Sequence, residues 1–435
     1  MEHIMRVLFA SLTQDGHFNP LTGIAKATQE AGHEVAFYTG SLYGPKLARM
    51  GVRHFPYVRA TEVTAENINE IFPERTKLSG PRQISFDGRA FFADNVGRFF
   101  EDLREIRETF PFTVLVHDTG FFAAELAVRF LGVASVPVNV IGDIESAPDV
   151  PPMFFGFGYP RNRLDRAKHA AARYVSNTVV LRPAKLRYRE ILAEYGVPFD
   201  LRTVMTDVPY RVASAVIQTG TPSLDFPRRA TNPKVRHVGA LLPWRDPEGD
   251  RGTDVPLGGY RRRALISQGT IDTADFGKLI YPAVEALRDS GMQVVVSTGR
   301  QPAGPVRERI GAENVVVEEF LDFDAVLPAS DVYVTNGGQG GVLMAISAGV
   351  PMVVAGLNEG KGDVNARLAY RGLAEDLRTE RPRPEAIRAA VERVLADDAM
   401  RDRLAAARAE LAALDPLAES VAVIESVGAR QASSA

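Results

Sequence analysis

The sequence predicts an α/β protein with two parallel sheets flanked by helices, and three observations support this fold class. Strand-like and helix-like segments alternate in both halves of the chain. Gly32 and Gly132 each follow a predicted helix directly, at the position where a left-handed residue commonly ends a helix. Residues 241–259, rich in proline and glycine, separate the two halves, and the alternating pattern restarts after them.

In the first half, apolar and β-branched runs predict five strands and two helices. The strands are expected over residues 6–11, 34–39, 114–117, 134–140 and 215–218, and the helices over residues 21–31 and 122–130. Residues 60–107 and 144–182 are less regular, and most of their aromatic side chains are expected to fill the core beneath long loops. Within them, residues 153–159 interleave glycine with aromatics, which is typical of a mobile apolar wall.

In the second half, the same patterns predict five strands and five helices. The strands are expected over residues 264–267, 293–297, 315–318, 331–335 and 351–354, and the helices over residues 276–290, 341–348, 364–371, 383–395 and 400–414. We therefore expect an N-terminal domain over residues 1–240, a linker over 241–259 and a C-terminal domain over 260–412. Residues 413–435 are expected to form a helix that packs back on the N-terminal domain, followed by a tail.

The composition excludes several classes of site. The 435 residues include no cysteine, which excludes disulfides, thiolate nucleophiles and zinc–thiolate sites and fits a reducing cytoplasm. The formal net charge is −3 and no basic block is evident, so nucleic acid is not expected as a partner. No run of about 18 apolar residues is present, so no membrane span is expected. We expect a cytoplasmic protein that is a monomer or a homodimer.

A glycine-rich turn, Asn336-Gly337-Gly338-Gln339-Gly340-Gly341, joins a predicted strand to a predicted helix. Glycine lets a backbone approach a ligand closely, and the first turn of a helix offers unpaired N–H groups and a positive dipole end. Two more small-residue turns, 267–270 and 297–300, follow other strands of this half. Because carboxyl ends of parallel strands share one sheet edge, the three turns together favour a nucleotide-diphosphate site over plain tight turns.

His17 and Asp118 are the candidate catalytic pair. His17 follows the first strand and Asp118 follows the strand over 114–117, so both are expected at the corresponding edge of the first sheet. A histidine held by a carboxylate can take a proton from a hydroxyl near neutral pH. The alternative is that each residue only caps the helix after it. No serine lies in a nucleophile-elbow pattern, and Asp322 and Asp324 are interpreted as a surface loop, so no metal ligand is predicted.

Taken together, these motifs resemble the family-1 glycosyltransferases that modify natural products in bacteria, such as macrolides, glycopeptides and flavonoids. The resemblance covers nearly the whole chain in the right order. It rests on Gly16-His17-Phe18-Asn19-Pro20, on Asp118 with Leu131-Gly132-Val133, on Val238-Gly239, and on residues 335–351 with Asn365-Ala366 beyond them. It implies the GT-B fold, in which two Rossmann-like domains with parallel sheets face each other across a cleft.

The resemblance also implies roles for individual residues. His17 would be the base, Asp118 its partner, residues 336–341 the donor diphosphate cradle, and Phe320 the aromatic that stacks on the nucleobase. It implies inversion at the anomeric carbon with no essential metal or other cofactor, a nucleotide-diphosphate sugar being the co-substrate. The expected donor-binding residues are Gly269, Thr270, Phe320, Asn336, Gly337, Gly338, Gln339, Gly340, Gly341, Glu359 and Asp363. The expected acceptor-binding residues are Phe18, Phe86, Phe91, Met153, Phe154 and Phe157.

Five positions of the donor region depart from the family's pattern. Asn336 stands where a histidine is usual, Gly341 where a serine or threonine is usual, and Met344 where an acidic residue grips the ribose. Lys361-Gly362 occupies the place of the Asp-Gln pair that holds the sugar hydroxyls, so Glu359 and Asp363 are the nearby candidates to replace it.

We therefore predict an inverting O-glycosyltransferase that moves a sugar from a UDP- or TDP-sugar to a hydroxyl of a lipophilic small molecule. Two alternatives stay open: a non-catalytic nucleotide-sugar-binding helper, favoured by the altered donor residues, and a GT-B sugar-nucleotide epimerase. The retained pair of His17 and Asp118 counts against the helper. The aromatic loops count against the epimerase, because that reaction needs no lipophilic pocket.

Overall fold

The computed structural model describes residues 4–64, 67–249, 251–269, 273–299 and 301–434. Its first domain contains one parallel sheet of seven strands. The strands are β1 (Arg6–Ala10), β2 (Glu34–Thr39), β3 (Arg53–Pro56), β4 (Val114–Asp118), β5 (Ala134–Asn139), β6 (Val216–Thr219) and β7 (Val235–Gly239). Their order across the sheet is β3-β2-β1-β4-β5-β6-β7, so β1 and β4 are neighbours and end at the same edge.

The second domain contains one parallel sheet of six strands. They are β8 (Arg263–Ser267), β9 (Gln293–Ser297), β10 (Val315–Glu318), β11 (Val332–Thr335), β12 (Met352–Val354) and β13 (Ala374–Asp376). The order β10-β9-β8-β11-β12-β13 places β9, β8 and β11 side by side. The three small-residue turns that follow these strands therefore share one edge, and the prediction of two parallel sheets is confirmed.

Helices cover both faces of each sheet. The first domain has α1 (Asp15–Glu30), α2 (Gly44–Met50), α3 (Ile68–Ile71), α4 (Gly80–Asp87), α5 (Val96–Thr109), α6 (Ala124–Leu126), α7 (Arg163–Val175), α8 (Arg182–Glu194) and α9 (Val208–Val212). Turns of π-helix, Gly88–Ala93, Ala127–Leu131 and Ser176–Val180, extend α4, α6 and α7. The second domain has α10 (Ile280–Leu287), α11 (Ala303–Ile310), α12 (Phe323–Val326), α13 (Gln339–Ala348), α14 (Lys361–Arg371), α15 (Pro384–Ala396) and α16 (Asp398–Ala412), and α17 (Pro416–Ser434) follows them.

Strand β1 shows how the first sheet is buried on both faces. Val7 and Phe9 belong to the core under α1 and α17, whereas Leu8 and Ala10 belong to the core under α5 and α8. All four side chains are fully buried. A parallel sheet covered by helices on both faces requires such continuous apolar strands, which is why the sequence predicts these strands.

Helix α17 returns from the second domain and packs on the first. Ile424 and Val427 are buried in the same core as Phe9. At the surface, the Glu425 carboxylate lies 3.1 Å from Nε2 of His33. The last helix of the chain therefore ties the two domains together.

Three strands that the sequence did not predict, β3, β7 and β13, lie at sheet edges. Edge strands are paired on one side only, and they carry polar residues such as Arg53, Arg236 and Glu375 in place of an apolar run. The regions expected to be less regular, 60–107 and 144–182, contain α3 to α5 and α7 with their π-helical turns. Helix α1 begins at Asp15 rather than at residue 21, because Pro20, inside its second turn, gives up one hydrogen bond without ending the helix.

Candidate active site

His17 lies in the first turn of α1, just beyond the carboxyl end of β1. Asp118 is the last residue of the neighbouring β4. Nδ1 of His17 and Oδ1 of Asp118 are 2.8 Å apart, although 101 residues separate them in the chain. The imidazole is 24% exposed while the carboxylate is fully buried. The pair therefore leaves Nε2 as the ring nitrogen that can accept a proton from a bound substrate.

Asp118 is held in place by the backbone around it. Its Oδ2 accepts a hydrogen bond from the N–H of Leu12 at 2.9 Å, and its Oδ1 accepts one from the N–H of Gly120 at 2.7 Å. A side chain at position 120 would meet this carboxylate and the ring of Phe92, so glycine is required there. These contacts fix the carboxylate that orients His17.

The alternative that both residues are helix caps is wrong. Gln14 occupies the N-cap position of α1, and Ala123 occupies that of α6. His17 and Asp118 bind each other instead.

Each member of the pair shifts the pKa of the other. Burial lowers the pKa of His17, but the charge of Asp118 and the hydrogen bond to it outweigh burial, so that pKa lies above its ordinary value of 6.5. Burial raises the pKa of Asp118, but the charge of His17 and three hydrogen bonds outweigh it, so that pKa lies below 3.8. The arrangement is that of a basic imidazole supported by an ionised carboxylate.

The glycine-rich turn in the second domain connects β11 to α13. Gly337 has φ +88, and a Cβ there would lie 1.8 Å from Oδ1 of Asn365, so this glycine is required by the fold. Gly338 occupies the N-cap position of α13 and offers no capping side chain. A Cβ at Gly340 would meet nothing within 4 Å. The first turn of α13 therefore presents open backbone N–H groups at the sheet edge, as an anion site needs.

Asn336 is buried and bonds within the protein. Its Nδ2 donates to the carbonyl of Gln268 at 2.6 Å, and its Oδ1 accepts from the N–H of Gly338 at 3.3 Å. The side chain therefore links the turn after β8 to the turn after β11, and Gly269 lies beside it with φ +77. Gly341 packs against Tyr333, where a Cβ would lie 3.0 Å from the hydroxyl. Thr270 lies outside the described residues.

Gln339 lines a small cavity between the domains. The other walls of this cavity include Gly142, Thr219 and Thr221 from the first domain and Val364 from α14. The glycine-rich turn therefore faces the loops of the first domain. Phe320 is 49% exposed, as an aromatic that is free to stack on a ligand would be.

Asp363, expected at the donor sugar, is engaged elsewhere. Its carboxylate accepts hydrogen bonds from the backbone N–H groups of Phe154 at 2.6 Å and Gly156 at 3.0 Å, across the domain boundary. Burial raises its pKa, and the neighbouring charge of Arg367 and these N–H groups offset that only in part. Glu359 is exposed and pairs with Lys361. The expectation that Asp363 presents a free carboxylate to a sugar is therefore corrected.

The expected acceptor residues fall into three environments. Phe18 is fully buried and stacks on Tyr43 with 3.8 Å between ring centroids, so the expectation that it lines the acceptor site is wrong. Helix α1 begins earlier than expected, and this turns Phe18 into the core. Met153 packs against Ile144 and Tyr210. The half-buried or exposed aromatics are Phe86, Phe91, Phe154 and Phe157.

Three residues that sequence reasoning missed also belong to this region. The ring of Phe92 lies 6.4 Å from that of His17 and also contacts Phe91 and Phe122. Arg367 of α14 donates to Oδ1 of Asp225 in the first domain at 2.6 Å. The phenylalanine-rich stretch 86–100 was a signal for Phe92. Nothing in the sequence pairs Arg367 with Asp225, since they lie 142 residues apart.

Comparison with known proteins places this geometry in a family. A family model described as Erythromycin biosynthesis protein CIII-like, C-terminal domain, matches residues 291–426. The 4'-demethylrebeccamycin synthase of Lentzea aerocolonigenes is 30% identical over 427 residues, which cover 97% of this chain and 99% of that protein. The chain belongs to the family-1 natural-product glycosyltransferases. It is therefore an enzyme, a glycosyltransferase.

Two further comparisons extend this result. UDP-glycosyltransferase 2 of Phaeomoniella chlamydospora is 27% identical to this family-1 glycosyltransferase. The match covers 94% of this chain and 93% of that protein. The solved structure of the glycosyltransferase VinC in complex with dTDP superposes with a TM-score of 0.68 at 20% identity, over 98% of this chain and 100% of that one. The predicted GT-B fold is confirmed.

The described residues provide neither a membrane-spanning helix nor a cluster of metal ligands. None of the helices there is long and apolar enough to cross a membrane. The same part of the glycosyltransferase contains no group of three or more His, Asp or Glu side chains that could hold a metal ion.

Proposed function

We propose that this glycosyltransferase transfers a sugar from a UDP- or TDP-sugar to a hydroxyl of a lipophilic small molecule, with inversion at the anomeric carbon. The observation that carries the proposal is the hydrogen bond between His17 and Asp118 at the carboxyl edge of the first sheet. A relative that is a UDP-glycosyltransferase and a structural neighbour solved in complex with dTDP support a UDP- or TDP-sugar as the donor.

The proposed reaction is a single displacement. The acceptor oxygen attacks the anomeric carbon, the bond from that carbon to the diphosphate breaks, and Nε2 of His17 takes the hydroxyl proton. Asp118 holds the N–H of Nδ1 and stabilises the imidazolium that forms. Inversion follows because one nucleophile attacks from the face opposite the leaving group.

The diphosphate is proposed to leave into the first turn of α13. Open N–H groups of residues 339–341 and the positive end of the helix dipole offset the charge that develops on it. We propose that this charge compensation needs no metal or other cofactor. Phe320, exposed beside the same sheet edge, is the proposed platform for the nucleobase.

The acceptor site is proposed to lie between His17 and the half-buried aromatics of residues 86–92, with the loop 153–159 as a further wall. Phe92 contacts His17 directly, and Phe91 adjoins Phe92. These apolar walls favour a lipophilic acceptor and exclude water from the attacking hydroxyl.

The test is to incubate the enzyme with UDP- and TDP-sugars and a panel of aromatic and macrocyclic acceptors, and to measure product masses. The anomeric configuration of the product, read from its proton coupling constant, tests inversion. His17→Ala is expected to lower turnover about 10²–10⁴-fold with donor affinity retained. His33→Ala, a change at a histidine that contacts Glu425 in α17, is the control. Wild-type turnover in His17→Ala, or a retained anomeric configuration, contradicts the proposal.

A further inference from the structure

Helix α7 and the π-helical turn after it expose an unusual row of apolar side chains. Leu164 is 81% exposed, Tyr174 68%, Val175 46% and Val179 63%. Leu164 and Val175 lie eleven residues apart, three helical turns, and therefore project from the same face. Exposed apolar side chains of this size along one helix commonly mark a surface that meets another phase or molecule.

The same segment is strongly basic in a chain whose net charge is −3. Residues 161–189 contain nine lysine or arginine residues and a single acidic residue, Asp165. These cations do not form a contiguous basic block, because apolar residues separate them. Within the described ranges, Arg161, Arg163 and Arg166 form no ion pair, and all three are exposed. We define the α7 face as the exposed side chains of Arg163, Leu164, Lys168, Tyr174, Val175 and Val179.

The opposite side of α7 anchors the helix to the first domain. His169 is 4% exposed and stacks on Phe157 with 5.3 Å between ring centroids. Arg173 donates to the carbonyls of Ala147 at 2.7 Å and Val150 at 2.6 Å. The helix is thus fixed with its α7 face outward, and this face is not needed to hold the fold together.

We propose that the α7 face adsorbs to an anionic lipid bilayer. Arginine and lysine are attracted to acidic headgroups, while leucine, tyrosine and valine enter the boundary between headgroups and acyl chains. The positive charge of the segment complements the anionic headgroups, and its apolar side chains complement the acyl chains beneath them. The helix would lie on the membrane rather than span it.

The α7 face is continuous with the loop 153–159. The ammonium of Lys168 lies 4.1 Å from the ring centroid of Phe157, and Phe154 and Phe155 in the same loop are 45% and 36% exposed. A lipophilic acceptor dissolved in the bilayer would therefore lie beside the loop that we assign to acceptor binding. This last step rests on the proposed function, whereas adsorption itself does not.

Sedimentation of the full-length protein with vesicles tests the proposal. One set of vesicles contains phosphatidylglycerol in phosphatidylcholine, and the other contains phosphatidylcholine alone. We expect binding to the first set, weakened by salt, and little to the second. Arg161→Glu with Arg163→Glu, which removes two exposed cations at the start of α7, is expected to weaken binding at least 25-fold, about fivefold for each cation removed. Leu164→Glu with Val175→Glu is expected to abolish it.

Matched controls test whether vesicle binding depends on the α7 face or only on the net charge and exposed apolar side chains of the protein. Val58→Glu alters a residue that is 73% exposed but lies outside the α7 face, and Arg261→Glu with Arg288→Glu changes the net charge as much as the arginine pair does. These controls should bind like the wild type. All variants should keep their helical circular dichroism and their turnover of a water-soluble acceptor.

Three outcomes overturn the proposal. They are equal binding to both vesicle types, no binding to anionic vesicles, and a wild-type dimer that Leu164→Glu with Val175→Glu converts to a monomer. The last result would mean that a second copy of the chain covers the face. Because sedimentation does not require turnover, failure of the proposed reaction and failure of adsorption are read separately.

Discussion

The carboxylate of Asp363 in the second domain accepts a hydrogen bond at 2.6 Å from the backbone N–H of Phe154 in the first. Phe154 has φ +70, a left-handed conformation that a phenylalanine rarely adopts and that costs on the order of 1–3 kcal/mol. Asp363 also accepts from the N–H of Gly156. The second domain therefore sets the shape of the loop 153–159, and the exposed ring of Phe154 depends on that contact.

This relationship predicts that Asp363→Asn raises the KM for the acceptor more than it lowers kcat. Asparagine retains one acceptor oxygen but is neutral and turns an amide donor toward the second N–H, so one hydrogen bond is lost and the other loses its charge assistance. That loss is worth about 1.5–3 kcal/mol, roughly 10–150-fold in acceptor KM. Glu375→Gln, which removes a half-buried carboxylate paired with Arg393 in the same domain, is the control. A selective rise in donor KM would instead assign Asp363 to the sugar.

The His17–Asp118 pair predicts a pH dependence of kcat/KM. Only neutral imidazole can take the proton, so kcat/KM should rise with pH through the pKa of His17, which lies above 6.5. Asp118→Asn removes the charge that raises this pKa. The rising limb should therefore move to lower pH while the plateau falls at least tenfold. The pH–rate profiles of the wild type and of Asp118→Asn measure this shift. A rising limb at the same pH in the two proteins would contradict the pairing of His17 with Asp118.

The donor turn predicts different results for its glycines. Gly340→Val should fold normally, because space around its Cβ is open, yet lose most affinity for UDP and TDP as the side chain enters the phosphate position. Gly304→Val is the matched control: it holds the same position in α11, also with nothing within 4 Å. Gly337→Ala should instead reduce stability, because its Cβ would overlap Asn365.

Calorimetric titration with UDP and TDP, together with melting temperatures, measures these three variants. Unchanged nucleotide affinity in a folded Gly340→Val protein would place the diphosphate away from this turn.

The buried ion pair between Arg367 and Asp225 predicts a large effect on stability. Both side chains are about 10% exposed, and Arg367 keeps the pKa of Asp225 below its usual value despite burial. Arg367→Met leaves that carboxylate buried without a cation, which should cost about 3–5 kcal/mol of unfolding free energy. Arg371→Met, one turn later, loses only bonds to backbone carbonyls and should cost less. Urea unfolding measures the free energy of unfolding of both variants. Equal losses in Arg367→Met and Arg371→Met would contradict the role assigned to the buried ion pair.

The sequence could place His17 and Asp118 because a strand's carboxyl end is a local property. Their strands are continuous apolar runs, and parallel pairing brings such ends to one edge without further information. The glycine-rich turn was legible for the same reason. Phe18 could not be placed, since its burial depends on where α1 begins and on Tyr43, a residue in another segment.

Periodicity and turn residues are local signals. They were therefore enough to predict the two-sheet architecture, the sheet edges that carry the candidate site, and the family. Only the tertiary structure decided which polar groups are already used within the protein. Asp363 faces Phe154, Asn336 faces Gln268, and Arg367 faces Asp225, each across 68 or more residues of chain. Such pairings form only when the chain folds, within one domain or between the two, because burial forces every polar group to find the partner that the fold brings near.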